Sequence, residues 1–125
     1  MFKIDKKTKE IKITRGDFGM FDVTATNDDE SEYEFQVGDI VRFKVFKKKD
    51  CGCVELQKDV TVSEPCKAVT ISLLKDETKI GDLINKPTNY WYEVELNPDT
   101  KPQTIIGYDE VGEKLFILYP EGDEK

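Results

Sequence analysis

The stretch that decides the fold is Tyr90-Trp91-Tyr92-Glu93-Val94-Glu95-Leu96, followed by Thr104-Ile105-Ile106-Gly107-Tyr108 and by Leu115-Phe116-Ile117-Leu118-Tyr119. In the first run, aromatic and branched apolar residues alternate with polar ones, which is the period-2 pattern of a half-buried strand. Turn-forming residues separate the three runs, first at Asn97-Pro98-Asp99-Thr100 and then at Asp109-Glu110-Val111-Gly112. The segment therefore predicts β-strands joined by turns, and an all-β domain.

The same alternation recurs through the earlier part of the chain. It is found at residues 11–14, 18–26, 40–46 and 69–73, and at residues 54–56 and 60–62, which form one interrupted strand or two short ones. Counting gives about eight strands, and two packed antiparallel sheets would bury their apolar faces. The alternation predicts a core that contains Val41, Phe43, Val45, Tyr92, Val94, Leu96, Leu115 and Ile117.

One segment, residues 74–84, has apolar residues at helical spacing and predicts a short helical crossover between the sheets. The acidic run at residues 27–31 predicts an exposed hairpin loop, because it lacks the ligand register of a helix-flanked calcium loop. We expect a single domain over residues 1–125, with a frayed polar tail from about residue 120.

Composition excludes several classes of function. The formal net charge of −7 argues against nucleic-acid binding, which relies on Lys and Arg, and the lysines at 47–49 are interpreted as a solvated turn. No apolar run has the length of a signal peptide or a membrane span, so we expect a soluble protein made in the cytosol, with no membrane partner.

The chain has no histidine, which removes the commonest general base and the commonest metal ligand. The 26 acidic residues are interpreted as solubilising charge, so no catalytic residues and no enzyme activity are expected. Cys51, Cys53 and Cys66 supply three thiols where a closed zinc site needs four ligands. We therefore expect free thiols, no bound metal and no cofactor.

Trp91 is the candidate contact residue. Alternation assigns Tyr90 and Tyr92 to one face of the strand, the core face, and Trp91 to the other, beside Glu93 and Glu95. An exposed Trp can anchor a protein partner or stack on a sugar, unless a loop or the N-terminal segment covers it. Trp91, with the neighbouring Tyr90 and Tyr108, is the predicted partner or glycan contact.

Four segments carry a family resemblance. They are Ile13-Thr14-Arg15-Gly16-Asp17, Phe21-Asp22-Val23-Thr24-Ala25-Thr26, the run from Val37 to Val45, and Tyr90-Trp91-Tyr92-Glu93-Val94-Glu95-Leu96. Together they resemble the N-terminal domain of baseplate upper proteins, which are phage and prophage tail proteins of Gram-positive bacteria. The family pattern opens with I-x-R-G-D-x-x-x-F and closes on Y-x-x-E-L. Family members carry long C-terminal extensions for receptor binding or trimerisation, and the resemblance does not include that part of the family pattern.

The resemblance implies an immunoglobulin-like β-sandwich that docks to other virion proteins. We therefore expect a non-enzymatic virion structural protein, a tail or baseplate adaptor that binds tail proteins or its own copies. It would occupy the host bacterial cytoplasm before assembly and the virion afterwards. The alternative from another class is a carbohydrate-binding module that uses Trp91 and neighbouring tyrosines, which would need two or more coplanar exposed aromatics.

Overall fold

The computed structural model describes residues 1–27, 29–47, 54–81, 84–107 and 112–121. Within these ranges the chain forms nine strands and no helix, which confirms the all-β prediction. The strands are β1 (Phe2–Ile4), β2 (Ile11–Thr14), β3 (Gly19–Val23), β4 (Ile40–Phe46), β5 (Val54–Thr61), β6 (Val69–Leu73), β7 (Thr88–Leu96), β8 (Gln103–Ile106) and β9 (Leu115–Tyr119).

The described strands form two sheets that enclose a common core. The large sheet has the order β1-β2-β9-β7-β4-β5, with β8 also paired to β7, and the small sheet pairs β3 with β6. Both edge strands of the large sheet contact the small sheet: β1 lies against β3, and β5 lies against β6. The buried cluster draws side chains from both sheets, so each sheet covers the apolar face of the other.

Strands β4 and β7 form the centre of the large sheet. Val41 pairs with Leu96, Phe43 with Val94 and Val45 with Tyr92. All six side chains are buried, as predicted, and the ring of Phe43 contacts those of Phe21, Tyr92 and Phe116. Residues 54–61 form one continuous strand, whereas the sequence predicted one interrupted strand or two short ones in this region.

The predicted core was wrong in β9. Phe116 and Leu118 are fully buried, whereas Leu115 and Ile117 lie on the opposite, outer face and are partly exposed. Residues 115–119 are apolar at every position, so alternation could not set the phase of this strand. The pairing of Tyr90 with Phe116 sets it instead, because Tyr90 faces the core.

The predicted helical crossover was also wrong. The chain makes a turn, in which the N–H groups of Glu77 and Thr78 donate to the carbonyl of Leu74 at 2.9 and 3.2 Å. It does not continue as a helix, and Gly81 has a φ of +67°, outside the right-handed helical region. Leu83, one of the predicted apolar positions, lies outside the described residues.

The large sheet is mixed rather than purely antiparallel. The two sheets together contain seven pairings between the described strands, and six of these are antiparallel. In the seventh, β2 runs parallel to β9, from Ile11 opposite Phe116 to Thr14 opposite Tyr119. Strands β8 and β9 follow one another along the same edge of β7. Leu96 pairs with Gln103 in β8, while Trp91 pairs with Leu115 in β9.

Two contacts tie the N-terminal strands to the rest of the fold. A Cβ at Gly19 in β3 would lie 2.5 Å from Cδ1 of Phe2, so only glycine lets β1 approach this closely. After β2, the buried guanidinium of Arg15 donates to the carbonyl of Gly81 at 2.9 Å and pairs with Glu121 at 3.0 Å. Glu121 is thereby held, and the remainder of the tail predicted to fray lies outside the described residues.

Candidate functional site

Trp91 lies on the outer face of the large sheet, in a row of apolar side chains that crosses three strands. Phe46 of β4 is its partner on one side and Leu115 of β9 is its partner on the other. All three side chains are partly exposed. The indole Nε1 donates to Oε2 of Glu113 at 2.6 Å, which meets the polar requirement of the ring and fixes its orientation.

Charged side chains continue this face beyond Phe46 and Trp91. Nζ of Lys44 lies 2.7 Å from Oε1 of Glu95, 3.5 Å from Oε1 of Glu93 and 5.6 Å from the centre of the Phe46 ring. Burial opposes the charge of Lys44, but the two carboxylates prevail and raise the pKa of the ammonium group. Lys44 is therefore already engaged, and its single positive charge is shared between two carboxylates.

Arg42, the next outward residue of β4, bridges two strands and a turn. Its guanidinium forms a two-pronged pair with Asp59 at 2.9 and 3.0 Å, and it also reaches Asp99 at 3.1 Å. The hydrogen bonds to Asp59 and Asp99 raise the pKa of Arg42, and the same contact with Arg42 lowers the pKa of Asp59. This arrangement ties β4 to β5 and to the turn that contains Asp99.

The structure separates the predicted contact residues. Trp91 is on the outer face, but Tyr90 points into the core and is only 7% exposed, so Tyr90 is not a surface contact beside Trp91. Tyr108 lies outside the described residues. The aromatic residue that pairs directly with Trp91 on the outer face is Phe46, which the sequence interpretation did not select. Strand pairing was the missing signal, because Phe46 and Trp91 are 45 positions apart (91 minus 46).

A second surface was not predicted. Phe18, Met20 and Leu74 are 53%, 52% and 50% exposed, and we refer to these three residues as the apolar patch. Gly19 of β3 pairs with Leu73 of β6, so Phe18 and Leu74 lie next to the same pair. Along β3, Met20 is the next residue after Phe18 that points outward. Extending the predicted alternation of residues 21–26 back to 18 and 20 would have placed both on the outer face.

Hydrogen bonds hold the two chain segments of the apolar patch together. Gly16, with a φ of +87°, donates its N–H to Oγ1 of Thr78 at 3.0 Å, and this fully buried hydroxyl donates to the carbonyl of Asp17 at 2.9 Å. Asp17 directly precedes Phe18, and Thr78 closes the turn that begins at Leu74. The patch is therefore part of an ordered surface.

The turn itself is anchored from the neighbouring strand. The carboxylate of Glu77 accepts the N–H of Leu74 at 2.8 Å and pairs with Nζ of Lys58 at 2.6 Å. Burial opposes ionisation of Glu77, but these contacts with Lys58 and Leu74 hold its pKa below the usual value. The backbone of Leu74 is thus fixed, while its side chain stays in solvent.

The structure also bears on metal binding and on membrane spans. The described ranges contain no group of three or more Cys, Asp or Glu side chains arranged to hold a metal ion. Cys66 is partly buried and its backbone pairs with Phe35, while Cys51 and Cys53 lie outside the described residues. In the same described part of the chain, no helix has the length and apolarity required to cross a membrane.

Comparisons with known proteins add no family assignment. The chain matches no protein-family model, no curated protein and no solved structure.

Proposed function

We propose that this protein is a non-enzymatic docking module, a virion structural protein of the tail or baseplate adaptor type. The observation that carries the docking role is the apolar patch, in which three large side chains are each about half exposed on one ordered surface. Clustered apolar side chains that remain in solvent mark interaction surfaces in soluble proteins. The virion context rests on the resemblance of the Ile13-Thr14-Arg15-Gly16-Asp17 turn and its neighbouring strands to baseplate upper proteins.

The proposal includes an immunoglobulin-like class for the two-sheet fold, and tail proteins or a second copy of the chain as partners. Assembly would take the protein from the host bacterial cytoplasm into the virion. The net charge of −7 opposes nonspecific association, so a contact through the apolar patch would be specific.

The test is binding to purified tail and baseplate proteins encoded beside the gene, measured by interferometry, together with light scattering of the protein alone. Phe18→Ser combined with Leu74→Ser should weaken the partner or self-contact at least tenfold, about 1.4 kcal/mol. Val37→Ser is the matched control, since Val37 is 66% exposed but lies outside the apolar patch. A strict monomer that binds none of these proteins contradicts the docking role.

The carbohydrate-binding alternative depends on Trp91 and its outer-face neighbour Phe46. A glycan array, repeated with Trp91→Ala, tests it directly. Binding that is lost with Trp91→Ala but kept in the Phe18→Ser, Leu74→Ser variant would favour the glycan role over docking.

A further inference from the structure

None of the described strands lies beside one edge of β8. On its other edge β8 pairs with β7 through Gln103, Thr104 and Ile106, with a register shift that leaves Ile105 unpaired. Strand β9 continues the same line and is covered on its outer edge by β2, but no described strand covers β8. An uncovered edge presents backbone N–H and C=O groups that can pair with another strand.

A cavity of about 370 Å³ is lined in part by residues of β8. One wall is formed by residues 103–105 together with Leu96 of β7, and another wall is formed by residues 24–27, where the chain continues beyond β3. No backbone hydrogen bond joins the two walls in the described part of the chain. We refer to the space between these two walls as the slot; β8 supplies strand backbone on one side, and on the other side Thr26 forms a single bridge to Glu32.

The chemistry of the slot favours an extended peptide over a compact ligand. Its polar side chains are neutral, namely Thr24, Thr26, Asn27, Gln103 and Thr104, with Tyr33 at one side. Tyr33 is already committed, because its hydroxyl donates to Asp39 and its ring packs edge-on against Phe35. Beside these neutral groups lies the backbone of β8, and its four residues offer about 14 Å of edge at about 3.4 Å per residue.

Charge at the rim indicates the kind of peptide. The hairpin that follows residues 24–27 carries the exposed acidic side chains Asp29, Glu30, Glu32 and Glu34. The bridge between Thr26 and Glu32 holds the two arms of this hairpin together beside the slot. Complementary charge steers and selects partners, so a segment with Lys or Arg would be preferred over an acidic one.

We propose that β8 accepts an extended, basic segment of a partner protein as an added strand, in the slot between residues 103–106 and residues 24–27. Main-chain hydrogen bonds to β8 supply affinity, and the acidic hairpin supplies the preference for basic flanks. This site lies apart from the apolar patch, so it goes beyond the docking surface proposed above and stands or falls separately.

The probe is a set of synthetic peptides with alternating Thr and Val, flanked by Lys, and titrated into the full chain labelled for nuclear magnetic resonance. We expect amide shifts at residues 24–27 and 103–106. A Glu-flanked set with the same centre should bind at least tenfold more weakly at low salt, and the difference should shrink as salt is added.

The decisive control changes the peptide backbone and leaves the protein intact. In an added strand, alternate N–H groups point to the sheet, so N-methylation of one alternate set should weaken binding at least tenfold and methylation of the other set should not. The Phe18→Ser, Leu74→Ser variant should bind like the unaltered chain.

Three results would overturn the proposal. They are no binding of any Lys-flanked peptide up to millimolar concentration, equal tolerance of both methylated sets, or amide shifts confined to another surface. The proposal would also be wrong if a neutral oligosaccharide bound in the slot and the peptides failed to displace it, because the ligand of the slot would then be a glycan.

Discussion

Tyr33 donates its phenolic hydrogen to Oδ2 of Asp39 at 2.7 Å. The same carboxylate accepts the N–H of Gln36 at 2.9 Å and the side-chain amide of Asn97 at 3.1 Å. Burial opposes ionisation of Asp39, but the hydrogen bonds from Gln36, Tyr33 and Asn97 keep its pKa below the usual value. One carboxylate therefore joins the loop before β4, the start of the turn after β7 and the side wall of the β8 slot.

This hydrogen bond predicts a late tyrosine titration. The Asp39 carboxylate, assisted by burial, raises the pKa of Tyr33 to about 12, because ionisation would break the bond and place two negative charges together. The raised value means that Tyr33 contributes stability below about pH 10, its unfolded pKa, and that this contribution is lost as the pH rises toward 12. Ultraviolet absorbance titration of the folded protein measures the shift.

Asp39→Asn should return the Tyr33 titration toward its ordinary range, and Tyr33→Phe should remove it. Tyr92 also titrates late because burial raises its pKa, so the signal of interest is the difference between the unaltered protein and Tyr33→Phe. If the difference in absorbance had its titration midpoint near pH 10, the predicted hydrogen bond would be contradicted.

Truncation of Phe43 tests the centre of the core. Phe43 is fully buried between both sheets, so Phe43→Ala should lower the free energy of unfolding by about 3–5 kcal/mol. The matched control is Phe18→Ala, which removes the same ring from a position 53% exposed and should change stability by less than about 1 kcal/mol. Chemical denaturation gives both values, and equal losses would mean that the two positions are wrongly assigned.

The phase of β9 can be tested with two adjacent residues. Phe116 is fully buried, so Phe116→Ala should lower the free energy of unfolding by about 3–5 kcal/mol. Ile117 faces outward, and Ile117→Ala should cost less than about 1.5 kcal/mol because the shortened side chain leaves no sealed cavity. A larger loss at Ile117 than at Phe116 would restore the phase expected from the sequence.

The close approach of β1 to β3 predicts coupled substitutions. Gly19→Ala should destabilise the fold by about 1–3 kcal/mol, because the new methyl group would meet the ring of Phe2. With Phe2→Ala already present, Gly19→Ala should cost markedly less, since the obstructing ring is gone. A double-mutant cycle by thermal or chemical unfolding measures this coupling, and strictly additive losses would show that the two residues do not interact.

The strands whose polar and apolar residues alternate were predicted correctly from the sequence. From Val41 to Phe46 in β4 and from Tyr90 to Leu96 in β7, each outward position is charged or aromatic and each inward position is apolar or aromatic, so the pattern alone identifies the buried face. Strand β9 lacks polar residues, and its phase depends on the partner strand. Strand β1 has only three residues, too few for a periodic signal, and it exists because β2 and the Phe2 ring hold it in place.

The candidate site was predicted only in part. Alternation correctly placed Trp91 on the outer face and Tyr90 and Tyr92 on the inner one. It could not identify Phe46 as the neighbour of Trp91, nor join Phe18 to Leu74, because both relationships arise from pairing between distant strands. The open edge of β8 could not be predicted either, because the order of strands in the sheet decides which strand lacks a neighbour.

The parallel pairing of β2 with β9 also constrains when this fold can be completed. Ile11 and Phe116 are neighbours in the sheet but 105 positions apart in the chain (116 minus 11). Ribosomes add about 5–20 residues per second, so β2 must wait about 5–20 s for its partner strand to be made. During that interval one edge of the emerging sheet is open to other nascent chains. Contacts of such long range also slow refolding, because the entropy of closing a long loop must be lost before the pairing can form.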